Sequence, residues 1–161
     1  MDFSMIGNRD EKHSVSAKEL MGILPHRYPM FMLDMILDYD FSGGGAWAVA
    51  KKSFSVDAWY FRGHFPENPI MPGSLILESM SQVATFLVLS NQAGACSQGE
   101  VLFAGAKALR FLKPVYPGTD LIIYSNLEKQ RMGIYTFASR CEIDHQICAT
   151  AELTLRKVGD W

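Results

Sequence analysis

His64 and Glu78 are the two residues whose types and settings suggest acid–base chemistry, and both lie in the segment RGHFPENPIMPGSLILESMSQ, residues 62–82. His64 sits in a loop between Gly63 and Phe65, where a side chain is easier to aim than inside a strand. An imidazole pKa of roughly 6.5 suits proton transfer in either direction. Glu78 interrupts an apolar run, and a carboxylate in apolar surroundings needs a partner or a task. Desolvation is expected to raise its pKa and make it a proton donor near neutral pH. Gln82, one helical turn on, is placed to hold Glu78 or a water. Gly73 opens the apolar run, and amides in a first helical turn lack intrahelical acceptors and face the positive end of the dipole. A carbonyl oxygen lodged there would have its developing negative charge stabilised. Plainer roles stay open for each residue: an exposed loop histidine, a carboxylate paired with an arginine at a helix edge, a glycine easing the turn after Pro72. His64 and Glu78 lack a third ligand at a metal-site spacing, and His26 would have to join them by folding, so no metal is expected.

The elements that must carry these groups follow from patterning. Ser16 and Glu19 have capping-box spacing and open a short helix ending near Gly22. A strand is expected over 30–40, a turn over 42–45 and a second strand over 46–54. Prolines at 66, 69 and 72 make the His64 loop rigid. The central helix is expected from Pro72 or Gly73 to about Ser90, and it is apolar on nearly every side, which suits an interior position. Residues 91–99 form a polar connection. Strands are expected over 101–111, 120–129, 133–143 and 146–156, with Asp144-His145 a weak turn signal. Four strands without intervening helices imply a mostly antiparallel sheet. Burying both components calls for a curved sheet wrapped around the long helix, an α+β class.

At 161 residues the chain suits one domain, here residues 15–161 behind a flexible segment 1–14. An apolar share of 48% and a net charge of −2 point to a globular protein without a nucleic-acid partner. Cys96, Cys141 and Cys148 have no ligand-like spacing, and an odd thiol count without an export signal implies a reducing, cytoplasmic setting. The run from Ser74 to Ser90, broken by Glu78 and Gln82, is expected to fall short of a membrane span.

The segments LPHRYPMFMLD (24–34), FRGHFPENPIMPGSLILESMSQ (61–82) and FAGAKALRFLKPVYPG (103–118) resemble the beta-hydroxyacyl-(acyl carrier protein) dehydratase family. Their order and spacing, with the strand-rich tail, extend the resemblance over most of the chain. It implies a hotdog fold, homodimers often gathered three to a hexamer, and active sites between protomers. The histidine of such a site would be His64, the acid Glu78, the helix-start amide that of Gly73, and the supporting glutamine Gln82. Tyr28, Pro29, Met30 and Phe31 match the segment at the mouth of the acyl tunnel. Glutamate rather than aspartate at 78 resembles the dehydratase-only branch rather than the dehydratase–isomerase branch. The chain departs from the family pattern at Met35, Ser74 and residues 106–109.

The implied reaction converts a 3-hydroxyacyl thioester to the trans-2-enoyl thioester, in fatty-acid, polyene or polyketide-type biosynthesis, with no cofactor. Phe86 and Leu87 are available with Tyr28–Phe31 to line the acyl channel. Lys107, Arg110, Lys113, Lys129 and Arg131 are available to meet an acidic carrier protein as one patch. Competing accounts are a hotdog thioesterase using Glu78 to activate water, and a non-catalytic acyl-binding subunit paired with an active homologue.

Overall fold

The computed structural model describes residues 13–42, 45–91 and 100–158. Segment 1–14 therefore falls almost wholly outside the described residues, as do Cys96, residues 92–99 of the polar connection and the centre of the 42–45 turn. The strands are β1 (Val15–Ser16), β2 (Met35–Asp40), β3 (Trp47–Ser53), β4 (Glu100–Phe111), β5 (Asp120–Arg131), β6 (Ile134–Ile143) and β7 (Gln146–Val158). The helices are α1 (Ala17–Ile23) and α2 (Gly73–Ser90), with a 3-10 turn at Trp59–Arg62.

Local chemistry explains most of these boundaries. Ser16 caps α1: Glu19 N–H donates to its Oγ and Ser16 N–H donates to Glu19 Oε2, a reciprocal capping box. The β6–β7 hairpin turns on Asp144 and His145, both with positive φ (48° and 60°), the conformation a two-residue hairpin requires. Met132 and Gly133 (50° and 73°) do the same between β5 and β6. Residues 30–34, expected as strand, are loop. The backbone groups of Met30 and Met32 bond to the side chain of Gln82 instead of to a neighbouring strand.

All pairings are antiparallel, in the order β1-β2-β3-β5-β6-β7-β4. The long helix on an antiparallel sheet is the α+β, hotdog-like arrangement expected, but the curved sheet wrapped around it is not found. The sheet is open and not strongly curled, with β1 and β4 as unpaired outer edges. Closure would need these edges to meet, and β1 offers only two residues to a ladder. The helix α2 instead packs on one face, against β3 to β7. The covered strands alternate as a one-sided sheet should: Leu121, Ile123 and Ser125 of β5 are buried, while Glu128–Arg131 run out into solvent.

Leu75, Ile76 and the whole stretch Ser79–Val88 of α2 are buried. Contrary to the sequence expectation, α2 has the length and composition of a membrane span, with a mean hydropathy of 1.3 over 18 residues. In the fold 72% of that stretch is buried by the protein itself, so α2 is a core helix. Cys141 and Cys148 are free thiols in the same core. Burial pushes Cys141 up, and Cys148 up to about 11, so both stay uncharged. The departing stretch 106–109 contains an irregularity of β4: Ala108 takes φ 49° inside a register shift between Lys107 and Arg110.

Candidate active site

His64 follows the 3-10 turn, and its loop is tied at both ends. Its N–H donates to Tyr60 C=O (3.0 Å) and Ile70 N–H returns to its C=O (2.8 Å). The ring is tied as well, with Nδ1 2.8 Å from Ile70 C=O. A carbonyl can only accept, so Nδ1 carries the proton of the neutral ring and the lone pair is left on Nε2. Phe65 stacks on the ring at 4.2 Å between centroids. The imidazole is thus oriented as a base.

It faces a cavity of about 290 Å³ lined by His64, Ile70, Gly73, Ile76, Phe111 and Lys113, among others. Gly73 is the first residue of α2 after Pro72. Leu75 and Ile76 N–H groups turn back to Pro72 C=O, whereas the Gly73 N–H has no acceptor among the described residues. Phe111, at the end of β4, lies across this glycine. A Cβ at position 73 would sit 2.7–3.1 Å from three carbons of its ring. The ring is the free end of a side chain that is 48% exposed. Gly73→Ala is therefore expected to push it outward and to cost less in a urea melt than the roughly 1–3 kcal/mol of overpacking a closed core. A loss within that core range would show that the ring is held fixed over the glycine.

Glu78 is held elsewhere. Five residues at about 100° and 1.5 Å each put it roughly 140° round α2 from Gly73 and about 7.5 Å along it. It does not line the His64 cavity. Its Oε1 accepts from Gln82 Nε2 at 2.7 Å. Gln82 is completely buried, and its amide orientation is set by unambiguous backbone partners. Its Oε1 accepts from Met32 N–H (2.8 Å) and its Nε2 donates to Met30 C=O (2.6 Å). Gln82 thereby stitches the 30–32 loop to α2 and turns its remaining N–H on the carboxylate. The second contact on Glu78 Oε1 is His26 Nε2, at 3.4 Å. The arginine of the plainer alternative is absent among the described residues, and both side chains of the His26–Glu78 pair are only 26% exposed.

His64, Glu78, Gly73 and Gln82 are legible in the sequence; of their neighbours, His26 figures there only as a metal ligand that folding would have to bring in, and Phe111 not at all. His26 belongs to the LPHRYP stretch, but nothing in its spacing links it to position 78, 52 residues away. Phe111 reads as one more apolar residue at the end of a strand.

The other candidates are scattered. Tyr28, Pro29 and Phe31 line a second cavity with Met32, Trp59, Tyr60 and Arg62; Met30 is partly exposed beside it. Burial, aided by the Asp34 charge, pushes the Tyr60 phenol up to about 12, so the phenol stays neutral, while Lys52, Asp57 and Arg62 bring charge to the same cavity. Phe86 and Leu87 are buried in the core and line neither cavity. Lys113 borders the His64 cavity and donates to Gln146 Oε1. Lys107 and Arg110 lie on β4, pairing with Glu152 and Thr150 of β7. Lys129 and Arg131 lie at the far end of the sheet, in register with Thr154 and Arg156 through β6. Lys113 N–H donates at Cys148, so six to eight strand residues, roughly 20–26 Å, separate these groups along β7. Within one protomer the five cations do not make a single patch.

The family model described as the FabA-like domain matches residues 24–152. A 3-hydroxyacyl-(acyl-carrier-protein) dehydratase FabZ of Oleidesulfovibrio alaskensis is 34% identical, over 91% of this chain and 94% of that protein. The protein of the same name from Pasteurella multocida is 39% identical, over 86% and 89%. Among solved structures, the dehydratase heterocomplex ApeI:P from Xenorhabdus doucetiae aligns with a TM-score of 0.66 at 18% identity, over 88% of this chain and 91% of that one. The E. coli PaaI protein aligns at 0.59 and 13%, over 77% and 78%. These two structural matches are likenesses of fold.

Proposed function

The chain belongs to the FabA-like family, and from that membership we propose that it dehydrates 3-hydroxyacyl thioesters of acyl carrier protein to trans-2-enoyl thioesters. The observation that carries the reading is His64: its Nδ1 is tied to Ile70 C=O, so Nε2 presents a lone pair to the cavity that Gly73 also lines. The substrate carbonyl oxygen sits at the Gly73 amide, where the helix start stabilises the charge that develops as C2 loses its proton. His64 Nε2 takes that proton. The C2–H electron pair becomes the new double bond, the C3–O bond breaks, and Glu78 protonates the departing hydroxyl to release water. His64 is then cationic and Glu78 anionic, and proton return through solvent resets both. The elimination is redox-neutral and uses only these groups.

Glu78 and His64 face different sides of α2, which supports a site shared between two protomers of a homodimer. The unpaired edge of β4 suits that contact. It is twelve residues long and exposes Leu102, Phe103 and Phe111, a ready template for strand pairing. Three such dimers would gather into a hexamer, or a homologue would take one protomer's place. The acyl chain is assigned to the apolar ground beside Tyr28–Phe31, and the carrier's phosphate to Lys113 at the cavity mouth, with Lys107 and Arg110 further along β4 and Lys129 and Arg131 as outlying contacts. The setting proposed is cytoplasmic, and the pathway one of fatty-acid, polyene or polyketide-type synthesis.

A spectroscopic assay with a 3-hydroxyacyl thioester of acyl carrier protein tests the reaction. Enoyl formation is the expected result. Release of free thiol would instead make the protein a thioesterase, and turnover of neither kind an acyl-binding subunit.

A further inference from the structure

We propose that His26 is a positioning residue: with Gln82 it holds Oε1 of Glu78, so that the proton delivered to the leaving hydroxyl is carried on Oε2. The inference rests on the dehydratase reading, in which Glu78 is the acid.

The Gln82 amide has a fixed orientation. Its carbonyl end is occupied by Met32 N–H, so the group facing Glu78 is an N–H donor and Glu78 Oε1 is an acceptor. A protonated carboxyl accepts best at its carbonyl oxygen, which makes Oε1 that oxygen and Oε2 the hydroxyl. His26 Nε2 approaches the same Oε1 at 3.4 Å. A bare ring nitrogen there would set lone pair against lone pair, whereas an Nε2–H turns a second donor toward Oε1 across a long contact of the kind that tightens to a hydrogen bond when substrate binds. That tautomer leaves Nδ1 as a buried acceptor without a partner, matching the unpartnered Nδ1 of the structure. The alternative tautomer would strand a buried N–H donor, which is the rarer outcome in folded proteins. Oε2 takes no hydrogen bond from the described residues, so it alone is available to substrate.

Charge supports the same assignment. The charged groups acting on His26 are Glu78 and Arg27, and Arg27 is turned back onto the carbonyls of Leu24 and His26. Burial, the largest influence, lowers the His26 pKa against the opposing pull of Glu78. The ring therefore stays neutral at neutral pH. An imidazolium so close would favour the ionised carboxylate and strip the acid of its proton; a neutral donor orients it without doing so.

The test compares His26→Phe, which keeps a flat ring and loses the donor, with His26→Gln, whose amide nitrogen reaches about the place of Nε2. His26→Phe should lower kcat about 10- to 100-fold with KM nearly unchanged, as misplacement of one catalytic group does. His26→Gln should recover turnover to within several-fold of wild type, and thermal melts should stay similar. Heteronuclear NMR of the wild-type ring nitrogens, assigned by the signal that His26→Gln removes, should find the proton on Nε2. A proton on Nδ1, or wild-type kcat and KM in His26→Phe, would overturn the proposal. If His26→Phe does not fold, the NMR tautomer and the His26→Gln kinetics decide it. Glu78→Gln run alongside separates the two levels: wild-type turnover there would remove the dehydratase reading itself, whereas loss there with none in His26→Phe removes only the role of His26.

Discussion

Glu78→Gln and His64→Ala are each expected to lower dehydration turnover by about 10²–10⁴-fold, the usual contribution of one positioned acid or base, while the oligomer persists. Glu78→Gln is close to isosteric, and its amide oxygen still accepts from Gln82, so the loss would report the missing proton rather than a collapsed site. His64→Ala removes the Nε2 lone pair, and its loop remains tied by the backbone bonds of His64 to Tyr60 and Ile70. The two variants together test geometry. In a two-fold dimer whose sites take histidine from one protomer and glutamate from its partner, a hybrid of the two variants contains one site with both native groups. Equal random mixing should then restore about a quarter of wild-type activity, because half of the dimers are hybrids and each has one working site of two. Sites confined to single protomers would restore nothing. Native mass spectrometry of the mixture would confirm that hybrids had formed.

Gln82→Leu is expected to produce the largest loss of stability among single changes near the site. The side chain is wholly buried and makes three hydrogen bonds, to Met30 C=O, to Met32 N–H and to Glu78. Leucine fills a similar volume but leaves the buried Met32 N–H without a partner, at about 1–3 kcal/mol, while the Met30 C=O, in a part-buried bond on an exposed residue, can turn to water. A denaturant melt should therefore show a loss of about 1–3 kcal/mol. Turnover should fall as well, because the 30–32 loop and the carboxylate lose their common anchor. Gln82→Glu separates these effects. It keeps an acceptor for Met32 N–H, removes the donor to Met30 C=O and brings a second carboxylate against Glu78. Its turnover should fall further than its stability. A melt within about 0.5 kcal/mol of wild type for Gln82→Leu, the range of ordinary surface changes, would show that the loop does not depend on this residue.

The sequence carried the local decisions. The capping box at Ser16 and Glu19, the start of α2 at Gly73 and the later strands are written in short-range chemistry: side-chain hydrogen bonds, a proline before a helix, alternation along strands. Glu78 was conspicuous because a carboxylate on an apolar helix has no inexpensive place to go. His64, Gly73 and Gln82 were legible through their spacing around it and through the family resemblance. Where expectations departed from the structure, the deciding contact was long-range. Residues 30–34 carry a strand-like pattern, yet they form a loop in which Gln82, fifty positions on, takes up Met30 C=O and Met32 N–H, and only Asp34 N–H reaches β3, at Lys51 C=O.

Only the tertiary structure decided which partners those groups have. It put His26 rather than an arginine beside Glu78, laid Phe111 across Gly73, and drew Lys113 away from Lys129 and Arg131. It also kept the sheet open, because β1 is too short to pair with β4. Each of these depends on where separate segments cross in space, and spacing along the chain does not encode crossings. The sequence by itself determined that a base, an acid, a helix-start amide and a glutamine are present. The fold turned them: His64 and Gly73 toward one cavity, Glu78 and Gln82 to another side of the same helix, because five helical residues rotate a side chain by roughly 140°.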